Sequence, residues 1–173
     1  GLPDGVVYVN MFGNPADYNR LRKYCDTHHI PLIEDAAQSQ GAMYGKVPSG
    51  AMGDVSVFSF DPMKNMPSFG GGGMVLTDSK KIRDTVISLR RHGITGKDKY
   101  GYNSLISEDH ANQLLLLLKK FDRLQAMRDK VCRRYMKNIP EVQILCAGPN
   151  TKSSHHKLVI LNDRRDDLKA YLE

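Results

Sequence analysis

The chain has 173 residues, 40% hydrophobic and 25% charged, which is typical of a globular protein with one domain or one domain and part of a second. No apolar run approaches the roughly 18 residues that cross a bilayer, so a membrane-spanning helix is excluded. The net charge of +6 arises from cations mixed with acidic residues along stretches such as 79–91 and 119–134, which argues against a nucleic-acid surface.

The cysteines and the first residues bear on the cellular setting. Cys25, Cys132 and Cys146 lie far apart, and no CxxC or Cys/His spacing suggests a metal site. We therefore expect reduced thiols, a cytoplasmic location and no metal. The opening Gly-Leu-Pro-Asp-Gly has neither an initiator Met nor the layout of a signal peptide, so we expect the chain to lack its natural beginning.

The first part of the chain alternates strand and helix patterns. Valines 6, 7 and 9 predict a strand that ends at the turn formers 13–15, and Asp17 is the expected N-cap of a helix that ends near residues 28–29. Residues 30–33 predict a strand that ends in Glu34 and Asp35, and residues 55–60 predict another. Strand, helix and strand at this spacing predict a βαβ unit and a mostly parallel sheet.

The second part predicts longer helices and a change of domain. A strand at 73–77 precedes a helix from about 79 to 91 with Gly93 as its C-cap, and a polar loop covers 93–104. A single long helix is predicted over 107–137, followed by weak strands at 142–145 and 157–161 and a helix at 165–172. We expect a larger domain over 1–106, a linking helix over 107–137, and the start of a smaller α+β domain over 138–173.

A carboxylate and an amide follow the second predicted strand. Asp35 and Gln38 are three residues apart at the carboxyl end of this strand, where open parallel sheets bind ligands. The small residues Ala36 and Ala37 between them allow a flat ligand to approach closely. An acidic residue at this position can also serve as a helix cap, and both interpretations remain open.

A hydroxyl and a lysine follow the next strand. Ser59 could bind an anion, and Lys64 comes five residues later among Phe, Pro and Met residues that could desolvate it. A desolvated lysine loses its proton more readily and becomes a nucleophile toward an aldehyde, although a loop lysine is more commonly a solvated surface residue. The glycines at 70–73 match no nucleotide-binding motif, which favours close backbone packing over phosphate binding.

Together these segments resemble the DegT/DnrJ/EryC1/StrS family of fold-type-I aminotransferases, which act on nucleotide-linked keto-sugars. Their order and spacing both match. The segments that carry the resemblance are 12–17, 30–38, 41–42, 53–60, 64–65, 72–75, 91–93 and 128–135.

The resemblance implies an α/β fold. Residues 1–106 would be the C-terminal part of the large pyridoxal-phosphate-binding domain, with a mostly parallel sheet and flanking helices, and an incomplete small α+β domain would follow. It also implies an aminotransferase of amino-sugar biosynthesis, a cytoplasmic homodimer that moves an amino group, from glutamate, onto a nucleotide-linked keto-sugar.

The resemblance further implies roles for single residues. Lys64 would hold pyridoxal 5'-phosphate as a Schiff base and later carry a proton between the cofactor and the sugar. Asp35 would pair with the pyridinium nitrogen, Gln38 would lie near the ring and its 3-hydroxyl, and Ser59 would bind the phosphate. Asn103 matches a family asparagine that reaches the phosphate of the neighbouring subunit.

The chain departs from the family pattern in three places. Ser104 and Leu105 replace a common aromatic residue and arginine, Gly71 replaces a common acidic residue, and the family's N-terminal portion is not matched. Two alternatives follow. One is a catalytically incomplete fragment or split half that needs a partner chain. The other is a dehydratase of the same fold, against which Lys64 argues because such enzymes typically carry histidine there.

Overall fold

The fold is given by a computed structural model that describes residues 1–94 and 100–173. In chain order the elements are β1 (Val6–Val9), a 3-10 turn (Met11–Gly13), α1 (Tyr18–His28), β2 (Leu32–Asp35), β3 (Met43–Tyr44), β4 (Val47–Pro48), β5 (Val55–Ser59), β6 (Gly73–Leu76), α2 (Lys80–Leu89), α3 (Glu108–Leu118), α4 (Phe121–Asn138), β7 (Gln143–Ile144), β8 (Thr151–Lys152), β9 (Ile160–Leu161) and α5 (Arg165–Leu172). None of the helices in these described ranges is both long enough and apolar enough to cross a membrane.

The main sheet has four strands in the spatial order β1-β2-β5-β6. The first three are parallel, and β6 pairs antiparallel with β5. The mostly parallel sheet predicted from the sequence is therefore confirmed. Two small sheets, with orders β4-β3-β8 and β7-β9, were not predicted as such. In the first of them, β8 from the C-terminal segment pairs with β3 from the first half of the chain.

Helix α1 covers one face of β1 and β2. The Asp17 side chain accepts a hydrogen bond from the Arg20 N–H at 3.3 Å, as expected of an N-cap, and His29 ends the helix with a φ of 55°. On this face Cys25 of α1 belongs to a buried apolar cluster. The other members of that cluster are Tyr8, Ile30, Leu32 and Met52. This core fixes β1 and β2 and thereby positions the loops at their carboxyl ends.

The single helix predicted over 107–137 is instead two helices. It breaks between α3 and α4, where Lys120 has φ −108° and ψ 0°. No glycine or proline marks the break, so the apolar periodicity runs through it. The break accompanies close packing of Phe121 on Gly41, where an added Cβ would lie 2.9 Å from the Phe121 ring. The predicted loop at 93–104 includes residues 95–99, which lie outside the described residues, and the domain boundaries remain predictions.

The pleat of β2 directs its two neighbouring carboxylates to opposite faces of the sheet. Glu34 lies beside Tyr8 on β1 and Ser56 on β5, on the face that α1 covers, and it is fully buried. Its two oxygens accept hydrogen bonds at 2.7–3.1 Å from five groups. The donors are the side chains of Asn10, Ser49 and Ser56 and the backbone N–H groups of Gly50 and Met52.

The dipoles of these five donor groups balance the charge of Glu34. Among the described residues, no lysine, arginine or histidine forms an ion pair with it. A buried carboxylate is tolerated only when hydrogen-bond donors replace its lost hydration. The loop at 49–52 is therefore folded around Glu34, and this shell holds β2 in place one residue before Asp35.

Residues 153–157, which we name the clamp segment, cross the turn that follows β1. The Ser154 N–H donates to the Gly13 carbonyl at 2.9 Å, and the Lys157 N–H donates to the Phe12 carbonyl at 3.2 Å. Gly13 has a φ of +91°, and a Cβ there would collide with Ser154 Oγ and lie 2.9 Å from the His156 nitrogen. The clamp segment can approach this closely only because residue 13 is glycine.

Replacement of Glu34 by glutamine is expected to lower the free energy of unfolding by about 3 kcal/mol or more. The amide would turn an N–H₂ group toward N–H and O–H donors, and it would weaken the remaining charge-assisted bonds. Urea denaturation measures the change. The control is Glu141→Gln at an exposed turn position, expected to change stability by less than about 0.5 kcal/mol. Equal effects of the two substitutions would contradict the role of Glu34.

Three glycine-to-alanine substitutions separate the causes of strain at the clamp. Gly13→Ala meets both a positive φ and a collision and should cost about 2–4 kcal/mol. Gly71→Ala meets a φ of +84° with open space and should cost about 1 kcal/mol, whereas Gly148→Ala meets neither and should cost less than about 0.5 kcal/mol. Thermal and urea unfolding give the order. If Gly13→Ala proved no worse than Gly71→Ala, the clamp contact would carry no stability.

Candidate active site

The carboxyl ends of β2 and β5 meet at one edge of the main sheet. Asp35 pairs in register with Val57, two residues before Ser59, and Ser59 pairs with Gly73 at the start of β6. One oxygen of Asp35 accepts the Ala37 N–H at 3.0 Å, and no described donor binds its second oxygen. The sheet thus brings a half-buried carboxylate and a half-buried hydroxyl to the same edge.

The Gln38 amide is held in one orientation. Its Oε1 accepts the Phe12 N–H at 2.8 Å, which leaves Nε2 as the free end, and no described acceptor binds this nitrogen. The Gln38 carbonyl accepts from Ser154 Oγ at 3.1 Å, so the clamp segment supports the same loop. Phe12 itself has a φ of 61°, in the left-handed region that few non-glycine residues adopt. Gln38 therefore offers two N–H donors at this edge.

The loop that contains Lys64 leaves β5 at Ser59 and returns to the sheet at Gly73. Ser59 Oγ accepts the Asp61 N–H at 3.3 Å, which leaves the hydroxyl proton free to be donated. The Lys64 N–H closes a turn onto the Asp61 carbonyl at 2.9 Å. The Lys64 side chain is half-buried, and no hydrogen bond or ion pair holds its amine among the described residues. Its amine is thus available for chemistry.

The glycine run at 70–73 serves backbone packing, as predicted. The Gly72 carbonyl accepts the Phe60 N–H at 2.8 Å, and Gly71 and Gly72 have φ values of +84° and +133°. A Cβ on Gly70 would collide with the imidazole of His110 on α3. The run therefore lets the chain turn tightly from the Lys64 loop into β6.

Sequence reasoning missed the contact between the Lys64 loop and the clamp segment. Asn65 is 4% exposed, and its Nδ2 donates to the Ser154 carbonyl at 2.9 Å. Its Oδ1 lies 3.2 Å from His156 Nδ1. The run Ser153-Ser154-His155-His156 is a polar stretch near weak strands, and this was its only visible signal. Nothing local indicates a partner 91 residues away.

Both histidines of the clamp segment have a lowered pKa. Burial lowers the pKa of His156, and the nearby cations Lys64, Lys157 and Arg128 lower it further. Burial also lowers the pKa of His155, against the opposing effect of Asp129, whose carboxylate lies 3.4 Å from Nε2. A cavity of about 300 Å³ beside His155 contains none of the residues predicted for the site.

Asn103 does not join the other predicted site residues in any described contact. It is exposed, and its backbone forms an antiparallel bridge with Arg91 just beyond the end of α2. The neighbouring Ser104 N–H donates to the Arg90 carbonyl at 3.1 Å. Asn103 therefore lies on a surface strip fixed by its backbone. No group of three or more metal-ligating side chains occurs in the part of the chain that the structure describes.

Curated relatives match nearly the whole chain. It is 32% identical over 174 residues to the dTDP-3-amino-3,4,6-trideoxy-alpha-D-glucose transaminase of Streptomyces venezuelae, a match that covers 97% of this chain and 46% of the relative. It is 35% identical over 175 residues to a UDP-N-acetyl-3-dehydro-alpha-D-glucosamine 3-aminotransferase of Acidithiobacillus ferrooxidans, covering 96% and 47%. The chain spans about half the length of these relatives.

Solved structures agree with the sequence matches. A DegT DnrJ EryC1 StrS aminotransferase from Brucella abortus superposes with a TM-score of 0.91 at 32% identity, covering 98% of this chain and 47% of that one. The model of the DegT/DnrJ/EryC1/StrS aminotransferase family matches residues 3–173. The expected fold, part of a fold-type-I aminotransferase, is confirmed. The chain belongs to the DegT/DnrJ/EryC1/StrS aminotransferase family.

Proposed function

We propose that the protein containing this chain is a pyridoxal-phosphate-dependent aminotransferase of amino-sugar biosynthesis. It would transfer an amino group to a nucleotide-linked keto-sugar, as the names of its relatives suggest, and the proposed amino donor is glutamate. The observation that carries the proposal is the meeting of Asp35 and Ser59 at one sheet edge, with Gln38 and Lys64 on the two loops that leave it. Members of this family depend on pyridoxal phosphate.

The free groups at the edge fit this cofactor. It has an anionic phosphate, a ring nitrogen, a hydroxyl and an aldehyde, and each needs a different partner. Ser59 has a hydroxyl proton to donate, Gln38 has free N–H donors, and Asp35 has one oxygen without a described donor. Lys64 has an amine without a described partner. The donor set therefore matches the cofactor group by group.

Each residue would have a distinct task when the cofactor is bound. Pyridoxal phosphate supplies an electron sink for the carbon from which a proton is removed. Asp35 would keep a proton on the ring nitrogen through its negative charge, and Gln38 would donate from Nε2 to the ring hydroxyl. Ser59 would donate its proton to the phosphate. The Lys64 amine would bind the cofactor covalently and then carry a proton at Nζ between substrate and cofactor.

A homodimer would complete the site. In this proposal Asn103 of one subunit donates to the phosphate held by its neighbour. Its exposure and its backbone bridge to Arg91 support such a contact, because they present the side chain outward on a fixed strip. The exposed Tyr102 and Leu105 on the same strip supply apolar surface for an interface.

A dehydratase of the same fold is disfavoured because residue 64 is lysine.

A second candidate is a chain that binds no cofactor until a partner chain completes it. Large apolar side chains are exposed on β1, α3 and α4. Val7 is 66% exposed and Leu116 is 62% exposed, and exposed apolar surface of this kind is typical of regions that pack against further protein. Cofactor binding to the isolated 173 residues, compared with the same residues co-expressed with the rest of the protein, separates the two candidates.

Lys64→Ala is expected to abolish the visible absorbance band that bound pyridoxal phosphate gives. It should also reduce transamination by about 10⁴-fold or more, because the variant loses its covalent and proton-carrying group. Borohydride reduction followed by peptide mass mapping should find the cofactor on the peptide that contains Lys64. The control is Lys46→Ala, an exposed lysine in the turn between β3 and β4, which should leave both unchanged. Cofactor fixed to another lysine would refute the assignment.

A further inference from the structure

The Asn65 side chain has one possible orientation. Its Nδ2 lies 2.9 Å from the Ser154 carbonyl and 3.5 Å from the Gln40 carbonyl. Carbonyl oxygens only accept hydrogen bonds, so the nitrogen of the amide must face them and the oxygen must face away. Because Asn65 is 4% exposed, water is not available to satisfy a flipped amide. Oδ1 is therefore the atom that meets His156.

The position of Oδ1 determines the tautomer of His156. An amide oxygen can only accept, so His156 Nδ1, at 3.2 Å, must carry the proton. In a neutral imidazole the other nitrogen, Nε2, then has a free lone pair. The Lys64 ammonium lies near enough to lower the pKa of this histidine, and Lys157 and Arg128 act in the same direction. Burial and all three cations therefore favour the neutral ring.

We propose that Asn65 fixes the proton of His156 on Nδ1 and leaves Nε2 as a hydrogen-bond acceptor, which makes His156 a positioning residue for the amine of Lys64. The positioning role rests on the proposed aminotransferase function, whereas the tautomer does not. A neutral Nε2 can accept a hydrogen bond from an amine nearby. A positively charged imidazolium would instead repel the protonated lysine amine. The tautomer of His156 and its role toward Lys64 are linked through the sequence, because Asn65 is the residue directly after Lys64.

The tautomer can be measured without any cofactor. Long-range proton–nitrogen NMR spectra of protein labelled with nitrogen-15 histidine distinguish Nδ1–H from Nε2–H, and His155→Asn and His156→Asn assign the signals. We expect His156 to carry Nδ1–H near neutral pH. In Asn65→Ser, which lacks Oδ1, the His156 signals should move toward the other tautomer while those of His155 stay unchanged. A wild-type His156 with Nε2–H overturns the proposal without any variant.

The positioning role has its own readout, the pH midpoint of the cofactor absorbance band. His156→Asn keeps a donor where Nδ1–H lies but removes Nε2, so the bond to Asn65 survives and the acceptor is lost. We expect a displaced midpoint in His156→Asn and an unchanged one in His155→Asn. Equal midpoints in both variants overturn the role. A protein that shows the Nδ1–H tautomer but binds no cofactor overturns the proposed function and the positioning role together, and the tautomer result stands.

Discussion

The buried carboxylate of Glu34 is the constraint on which the rest of the site depends. Its oxygens draw donors from the end of β1, from the loop at 49–52 and from β5, so three parts of the chain converge on one side chain. Ser49 donates its hydroxyl proton to Glu34, and Ser39 must therefore donate to Ser49, which adds the loop after β2 to the same network. Asp35 follows Glu34 directly on the other face of the sheet. The position of the half-buried carboxylate of Asp35 is thus set by the bonds of the buried Glu34.

A second constraint is Ser154, which joins the C-terminal part of the chain to its first half. The Ser154 N–H donates to Gly13, its hydroxyl donates to Gln38, and its carbonyl accepts from both Asn65 and Gln125 of α4. Every polar group of this fully buried residue therefore has a partner, and each partner belongs to a different segment. Because Gln38 is itself proposed to bind the cofactor and Asn65 directly follows Lys64, the C-terminal segment takes part in shaping the edge at which Asp35, Gln38, Ser59 and Lys64 lie.

The sequence correctly predicted the elements that depend on residues close together in the chain. The valines of β1, the Asp17 cap and the start of α2 at Ser79 follow from local patterns, since each depends on residues within one or two turns. The break at Lys120 did not, because no helix-breaking residue stands there. Glu34 and Asp35 are both acidic, so the sequence could not show which of them is buried. Only the register of β2 shows which face of the sheet each one occupies. The contacts of Asn65 and His156 are invisible locally because they join residues 91 positions apart.

An amide side chain can both donate and accept hydrogen bonds, but at the proposed site a fixed contact at one end of each amide leaves a single role to the other end. Gln38 and Asn65 each bond one end of the amide to the backbone, Oε1 to the Phe12 N–H and Nδ2 to the Ser154 carbonyl, so the free end has one defined chemistry. Gln38 is left as a donor and Asn65 as an acceptor. Lys64 differs, because the contacts among the described residues hold only its backbone, through the turn to Asp61. In the proposed function this amine binds a cofactor, leaves it and carries a proton, which needs such freedom, and the fixed groups around it supply the direction that the lysine itself lacks.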